Sequence, residues 1–256
     1  MKEFQIELKK ISRSKHGFVI FAVTLLFAIA TFTIISVLGL ANNSFTFFLR
    51  SFSAFTYFPA FIPPVALSCL LFSREIQDRT LIYAFMRPIS NHRLLRGKVL
   101  ATLVFCWMVV ILYALLALIY SISFFPVSSS AYDHHLVEGF IRCLLFTLYT
   151  CVGTAIGTMI AVLVCLLVRN MIGSYVVSIV LIIMLNLMNL KLDFLNLPFQ
   201  LPISTFVNPA SYYTIEFNDF VQRLVGITCL NLFVILVLFV LSARLFAKIR
   251  RGKGNI

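Results

Sequence analysis

His134 and His135, with Asp133 and Glu138 nearby in "SSSAYDHHLVEG", form the densest group of metal-ligating side chains in this chain, and metal-assisted hydrolysis is the chemistry such a group would offer. Their spacing argues against it. Adjacent histidines do not share a helix face, so a weak surface ion is the most they would hold, and solvated loop residues are the better reading. His16 and His92 stand apart in basic segments. Cys69, Cys106, Cys143, Cys151, Cys165 and Cys229 fall within or beside long apolar runs, without the close spacing of a zinc site or a disulfide framework. They are expected to pack as small apolar groups. Ser174 in "NMIGSYVV" has a glycine beside it but no histidine at the same depth to activate it. At residues 250–255, "RRGKGN" lacks the upstream glycine and the Ser or Thr of a phosphate-binding loop. These groups give no catalytic residue, no metal ligand and no directly bound cofactor.

The elements that would carry such groups are set by composition. With 61% hydrophobic and 12% charged residues, the chain is too apolar for a soluble globule, in which about a quarter of residues are charged. A bilayer core about 30 Å thick needs roughly 20 apolar residues of helix, because a helix satisfies its own backbone hydrogen bonds in hydrocarbon. Six stretches qualify, at about 17–40, 51–72, 99–125, 140–168, 170–190 and 222–244. The fold class expected is an all-α polytopic membrane protein, one transmembrane domain over residues 1–256. The first span is long and lacks a small-residue cleavage site, so it is expected to stay as an anchor.

Cationic connections resist translocation and remain cytoplasmic. With the N-terminus inside, every Lys and Arg except Arg50, Arg142, Lys191 and Arg223 falls on the cytoplasmic side, and five of the nine acids fall outside. Both termini are therefore expected in the cytoplasm. The net charge of +12 follows from this topology and from anionic inner-leaflet lipid, which leaves no call for nucleic acid.

The connections say more than the spans. In residues 1–16, Phe4, Leu8 and Ile11 recur at i, i+4 and i+7 with Lys2, Lys9, Lys10 and Arg13 on other faces, the pattern of a helix lying in the interface. From Lys191 to Phe220 the chain is apolar, yet Pro198, Pro202 and Pro209 cut it into pieces too short to cross. A broken re-entrant segment before the sixth span is expected there, with Asn218 or Asp219 capping the helix that follows. "RN" at 169–170 forces a tight hairpin between spans four and five. "GTAIG" puts Gly153 and Gly157 on one helix face, for close packing within the chain or across a dimer.

The segment "SREIQDRTLIYAFMRPISNHRLLRGK", residues 73–98, stands between two apolar runs on the cytoplasmic side. Ser73 to Phe85 favours helix, with Glu75 and Arg79 spaced to pair at i, i+4 on the surface. Pro88 stops it, and Ser90 or Asn91 caps the piece leading into the third span. Its exposed apolar side chains suit docking of a soluble partner.

These residues resemble the ABC transporter permeases of the type-2 exporter class. In that class the connection between spans two and three carries an acid, a Gly-Thr pair, a Pro, a Ser, a basic residue and a Gly-Lys opening the third span. Here these are Glu75, Arg79-Thr80, Pro88, Ser90, Arg93 and Gly97-Lys98, with Arg79 where the glycine is usual. The resemblance implies that residues 74–91 hold a coupling helix, and that Glu75, Arg79, Thr80, Tyr83, Arg87 and Pro88 meet a cytoplasmic ABC ATP-binding subunit. It also implies a second permease subunit, identical or not, with ATP and Mg bound by the partner and a place in a bacterial cell membrane. Phe-rich spans with few fixed charges suit an amphipathic or lipophilic cargo, such as a toxic or antimicrobial peptide or a drug. A polytopic membrane enzyme and a non-transporting accessory subunit are the competing classes.

Overall fold

The computed structural model describes residues 2–57, 59–78, 90–126, 136–194 and 217–251. All elements among them are helical. They are α1 (Lys2–Arg13), α2 (Lys15–Val37), α3 (Ser44–Tyr57), α4 (Ile62–Ser68), α5 (Arg74–Gln77), α6 (Asn91–Phe124), α7 (Leu136–Val168), α8 (Met171–Phe194) and α9 (Phe217–Arg251).

Five helical stretches among the described residues are long and apolar enough to cross a membrane: Lys15–Val37, Pro59–Gln77, His92–Phe124, Val137–Val168 and Leu224–Ile249. The expected fifth span corresponds to α8, whose described apolar stretch, Met171–Leu185, is shorter. The chain is thus a multi-pass membrane protein. α6 and α7 lie at its centre, with α1, α2, α3 and α9 packed on α6 and α4, α8 and α9 on α7.

The expected second span, 51–72, is not one helix. α3 ends at Tyr57, a 3₁₀ turn follows at Pro59–Phe61, α4 starts with Pro63 and Pro64 in its first turn, and a π-helical turn at Cys69–Ser73 leads into α5. The cause is local. Proline has no N–H to give the ladder and pushes the residue before it out of the helical region, so three prolines in six residues break the run.

The phenylalanines divide between core and surface: Phe18, Phe124 and Phe233 are exposed. Phe47, Phe48, Phe52, Phe55, Phe72 and Phe105 are buried in the protein and do not line an open path. Phe52 and Phe55 pack on Tyr113, whose ring stacks on Phe55 at 4.0 Å between centroids and whose hydroxyl donates to the Ser51 carbonyl at 3.0 Å, and so knit α3 to α6. Aromatic pairs of this kind add about 0.5–1.5 kcal/mol beyond their burial, which compensates for a second span interrupted by proline.

The hairpin between α7 and α8 is as tight as its two residues require. Arg169 takes a left-handed conformation at φ 57°, and Asn170 Oδ1 accepts from the Ile172 N–H at 3.1 Å. A left-handed non-glycine residue costs roughly 1 kcal/mol or more. Arg169→Gly is therefore expected to leave the fold intact and raise the thermal midpoint slightly; a lowered midpoint would show that the arginine side chain contributes more than its backbone costs.

Asn218 and Asp219 fall inside the first turn of α9, which starts at Phe217, and not before it as a cap would. The re-entrant segment expected over 191–220 lies mostly outside the described residues.

Candidate functional site: a buried ionic joint at one end of the bundle

Lys98 lies in the second turn of α6. Ser90 precedes that helix in extended conformation, with no cap bond from its side chain. Its carbonyl instead accepts from the Arg93 and Leu94 amides at 3.0 and 3.2 Å. The register this sets turns Lys98 inward, and the side chain is 1% exposed.

The Lys98 ammonium donates to Glu75 Oε2 at 2.8 Å and to the Leu71 carbonyl at 3.2 Å and is ion-paired with Glu7 Oε1 at 3.1 Å. That carbonyl belongs to the π-helical turn, and the ring of Phe72 lies 5.8 Å from the ammonium. Glu75, on α5, has its other carboxylate oxygen bonded to Lys10 of α1. Two acids and two bases therefore close a neutral group joining α1, the end of the second span and the start of α6. One atom is left over: Glu7 Oε2 is buried with no hydrogen-bond partner among the described residues. At Lys10, burial works to lower the pKa, but the bonded Glu75 carboxylate prevails and lifts it above the ordinary lysine value.

α1 is seated by shape as well as charge. Ile11 is buried, and Phe4 and Leu8 pack against the core, as the spacing of the three predicts. Gly97 is what lets α1 come close, since a Cβ there would stand 3.0 Å from Glu3 Cβ and 3.3 Å from the Phe4 amide nitrogen. The "Gly-Lys" at 97–98 thus has two physical jobs, a close approach and a buried cation.

The structure brings Glu75 and Lys98 together and turns Glu75 inward, where Lys98 and Lys10 are among its partners; the pairing expected with Arg79 falls on a residue outside the described ones. Arg79, Thr80, Tyr83, Arg87 and Pro88 lie outside the described residues. Glu7 and Lys10 were not among the expected site residues. A signal existed for Glu7: it sits one turn from Phe4 and from Ile11, an acid inside the apolar stripe.

Gly157 and Gly153 differ. A Cβ on Gly157 would meet Phe61 Cδ1 at 2.8 Å, so this glycine receives the 3₁₀ turn of its own chain, while a Cβ on Gly153 meets nothing within 4 Å. Glu138 is held by Arg142, which is 1% exposed and donates to it through Nη2 at 2.7 Å, and Asp133, His134 and His135 lie outside the described residues. Among the described residues no three His, Cys, Asp or Glu side chains converge to hold a metal.

The joint ties three elements together by charge: α1, the end of the second span and the start of α6. The family model for the ABC-2 family transporter protein matches residues 4–189 of the chain. No curated protein matches it.

Proposed function

From the match over residues 4–189, the chain belongs to the ABC-2 family of transporter proteins, and on that premise we propose that it is the permease subunit of an ATP-driven exporter. Membership implies an ATP-binding partner in general. The reading adds that a separate cytoplasmic ATPase docks on residues 74–91, that two permease subunits enclose the path, and that the cargo is amphipathic or lipophilic. Six spans and both termini in the cytoplasm of a bacterial cell belong to the same reading, carried by the bias of Lys and Arg.

The observation that supports it best is the ionic joint. A push on the segment after Glu75 reaches α6 through Lys98 and α1 through Lys10 and Glu7, without a flexible link between them. Such rigid-body transfer is how a docking event on one side of a bundle becomes a displacement of its spans.

The test is affinity purification of the tagged chain from its native membrane, with mass identification of bound proteins and an ATPase assay. A nucleotide-binding subunit is expected to co-purify. Arg79→Glu, a charge reversal in the docking segment, is expected to reduce its retention by at least about tenfold while membrane insertion stays normal. A chain that arrives alone and inactive, under conditions that keep comparable complexes whole, overturns the reading.

A further inference from the structure

Beside the joint, α2, α4 and the first turn of α8 enclose a groove of about 630 Å³, walled almost wholly by apolar side chains. Along α2 its wall runs from His16 through Ile20 and Val23 to Phe27, a rise of about 16 Å at 1.5 Å per residue. That is close to half the ~30 Å hydrocarbon core, the depth of one leaflet. The opposite wall, from Pro59 to Leu70, stands back because prolines break the second span.

At its cytoplasmic end the groove meets a second cavity of about 220 Å³, with His16 and Leu70 common to both and Lys10, Ser14, Arg74, Glu75 and Asp78 around it. The acids of this cup are already engaged: Glu75 by Lys98 and Lys10, and Asp78 by Arg74 in a pair exposed on both sides, which is worth little in water. Above it α1 shows a basic face. Lys9, Lys10 and Arg13, with Lys15 at the start of α2, are exposed, while Glu7 is drawn inside to Lys98.

We propose that this groove and cup bind one anionic phospholipid, an acyl chain lying along α2 and the phosphate beside Arg74, Lys10 and His16. An apolar slot one leaflet deep ending in a polar cup under a basic helix is complementary to that class of molecule and to its charge. Lipid seated there wedges the ionic joint against α2, so the composition of the leaflet bears on how firmly α1 is held. Which leaflet supplies it rests on the orientation of the function proposed above; the binding itself does not.

The experiment is native mass spectrometry of the purified full chain in micelles containing equal phosphatidylglycerol and phosphatidylcholine, a readout independent of ATPase or transport. One phosphatidylglycerol per chain is expected to be retained. Arg74→Gln is expected to reduce the preference for it by about fivefold, the worth of roughly one cation beside an anionic surface. Ala66→Trp and, from the other wall, Val23→Trp are expected to plug the groove and abolish retention of either lipid, with unchanged elution on gel filtration confirming folding. No retained lipid, equal retention of the two lipids, or retention undiminished by both plugs would overturn the proposal. So would cross-linking of Val23→Cys chains into a dimer through the groove, which would make a second copy its occupant.

Discussion

Lys98→Met is expected to cost the folded protein about 3–5 kcal/mol, the range found when one partner of a buried ion pair is removed. Methionine roughly keeps the volume and removes the charge, including the cation that lies 5.8 Å from the Phe72 ring centroid. The loss is electrostatic, because Glu7 and Glu75 stay in place with their common cation gone. Lys10 can still serve Glu75, whereas Glu7 has one oxygen already unpartnered and loses the donor to the other. The double variant Glu7→Gln, Lys98→Met should therefore recover part of the deficit. In a chain of this size the single substitution reads as a fall of roughly 10 °C in thermal midpoint. A midpoint within a degree or two of the parent protein, or a double variant no better than the single one, would show that the cluster is not what fastens α1.

How much of this joint was legible in the sequence depends on distance along the chain. The spacing of Phe4, Leu8 and Ile11 is local and predicts an amphipathic α1, whereas the packing of that face against the core is a tertiary contact that spacing does not show. Glu75 and Lys98 stand at positions that the family resemblance singled out, yet their contact closes across 23 residues, and no periodicity shows that two charges so far apart share one pocket. For Glu75 the local rule points only to Arg79 at i+4; the tertiary partner at Lys98, which draws it inside, has no local signal. The second span shows a different failure. Its apolar content is what hydropathy measures, and apolar content is blind to Pro59, Pro63 and Pro64, although their backbone chemistry foretells a break. The phenylalanines were ambiguous for a deeper reason: in a bilayer, lipid-facing and core-facing positions are both apolar, so composition does not separate them. Only the packing around Tyr113 shows which side these rings take.

The elbow between α1 and α2 should be as sensitive as the joint, and Gly17→Val tests it. Ser14 starts α2 by accepting from the Gly17 N–H at 3.1 Å, and its hydroxyl donates to the Ile11 carbonyl at 2.7 Å, to which the Ser14 amide also donates at 3.1 Å. A Cβ on Gly17 would stand 2.5 Å from that same carbonyl oxygen. No flexible side chain can yield there, because the obstacle is backbone already held by two hydrogen bonds. The elbow has to open, which swings α1 and with it Glu7 and Lys10 away from the joint. A loss of about 1–3 kcal/mol, typical of overpacking, is expected together with faster trypsin cleavage after Lys9, Lys10 and Arg13. Ser14→Ala separates the two causes: it removes the cap, worth about 1 kcal/mol, without adding bulk, so it should weaken α2 slightly and leave α1 protected from trypsin. If Gly17→Val matched Ser14→Ala in both measurements, the close approach at Gly17 would be incidental and the joint alone would hold α1; if it exposes α1 as Lys98→Met does, elbow and joint are two fastenings of one rigid unit.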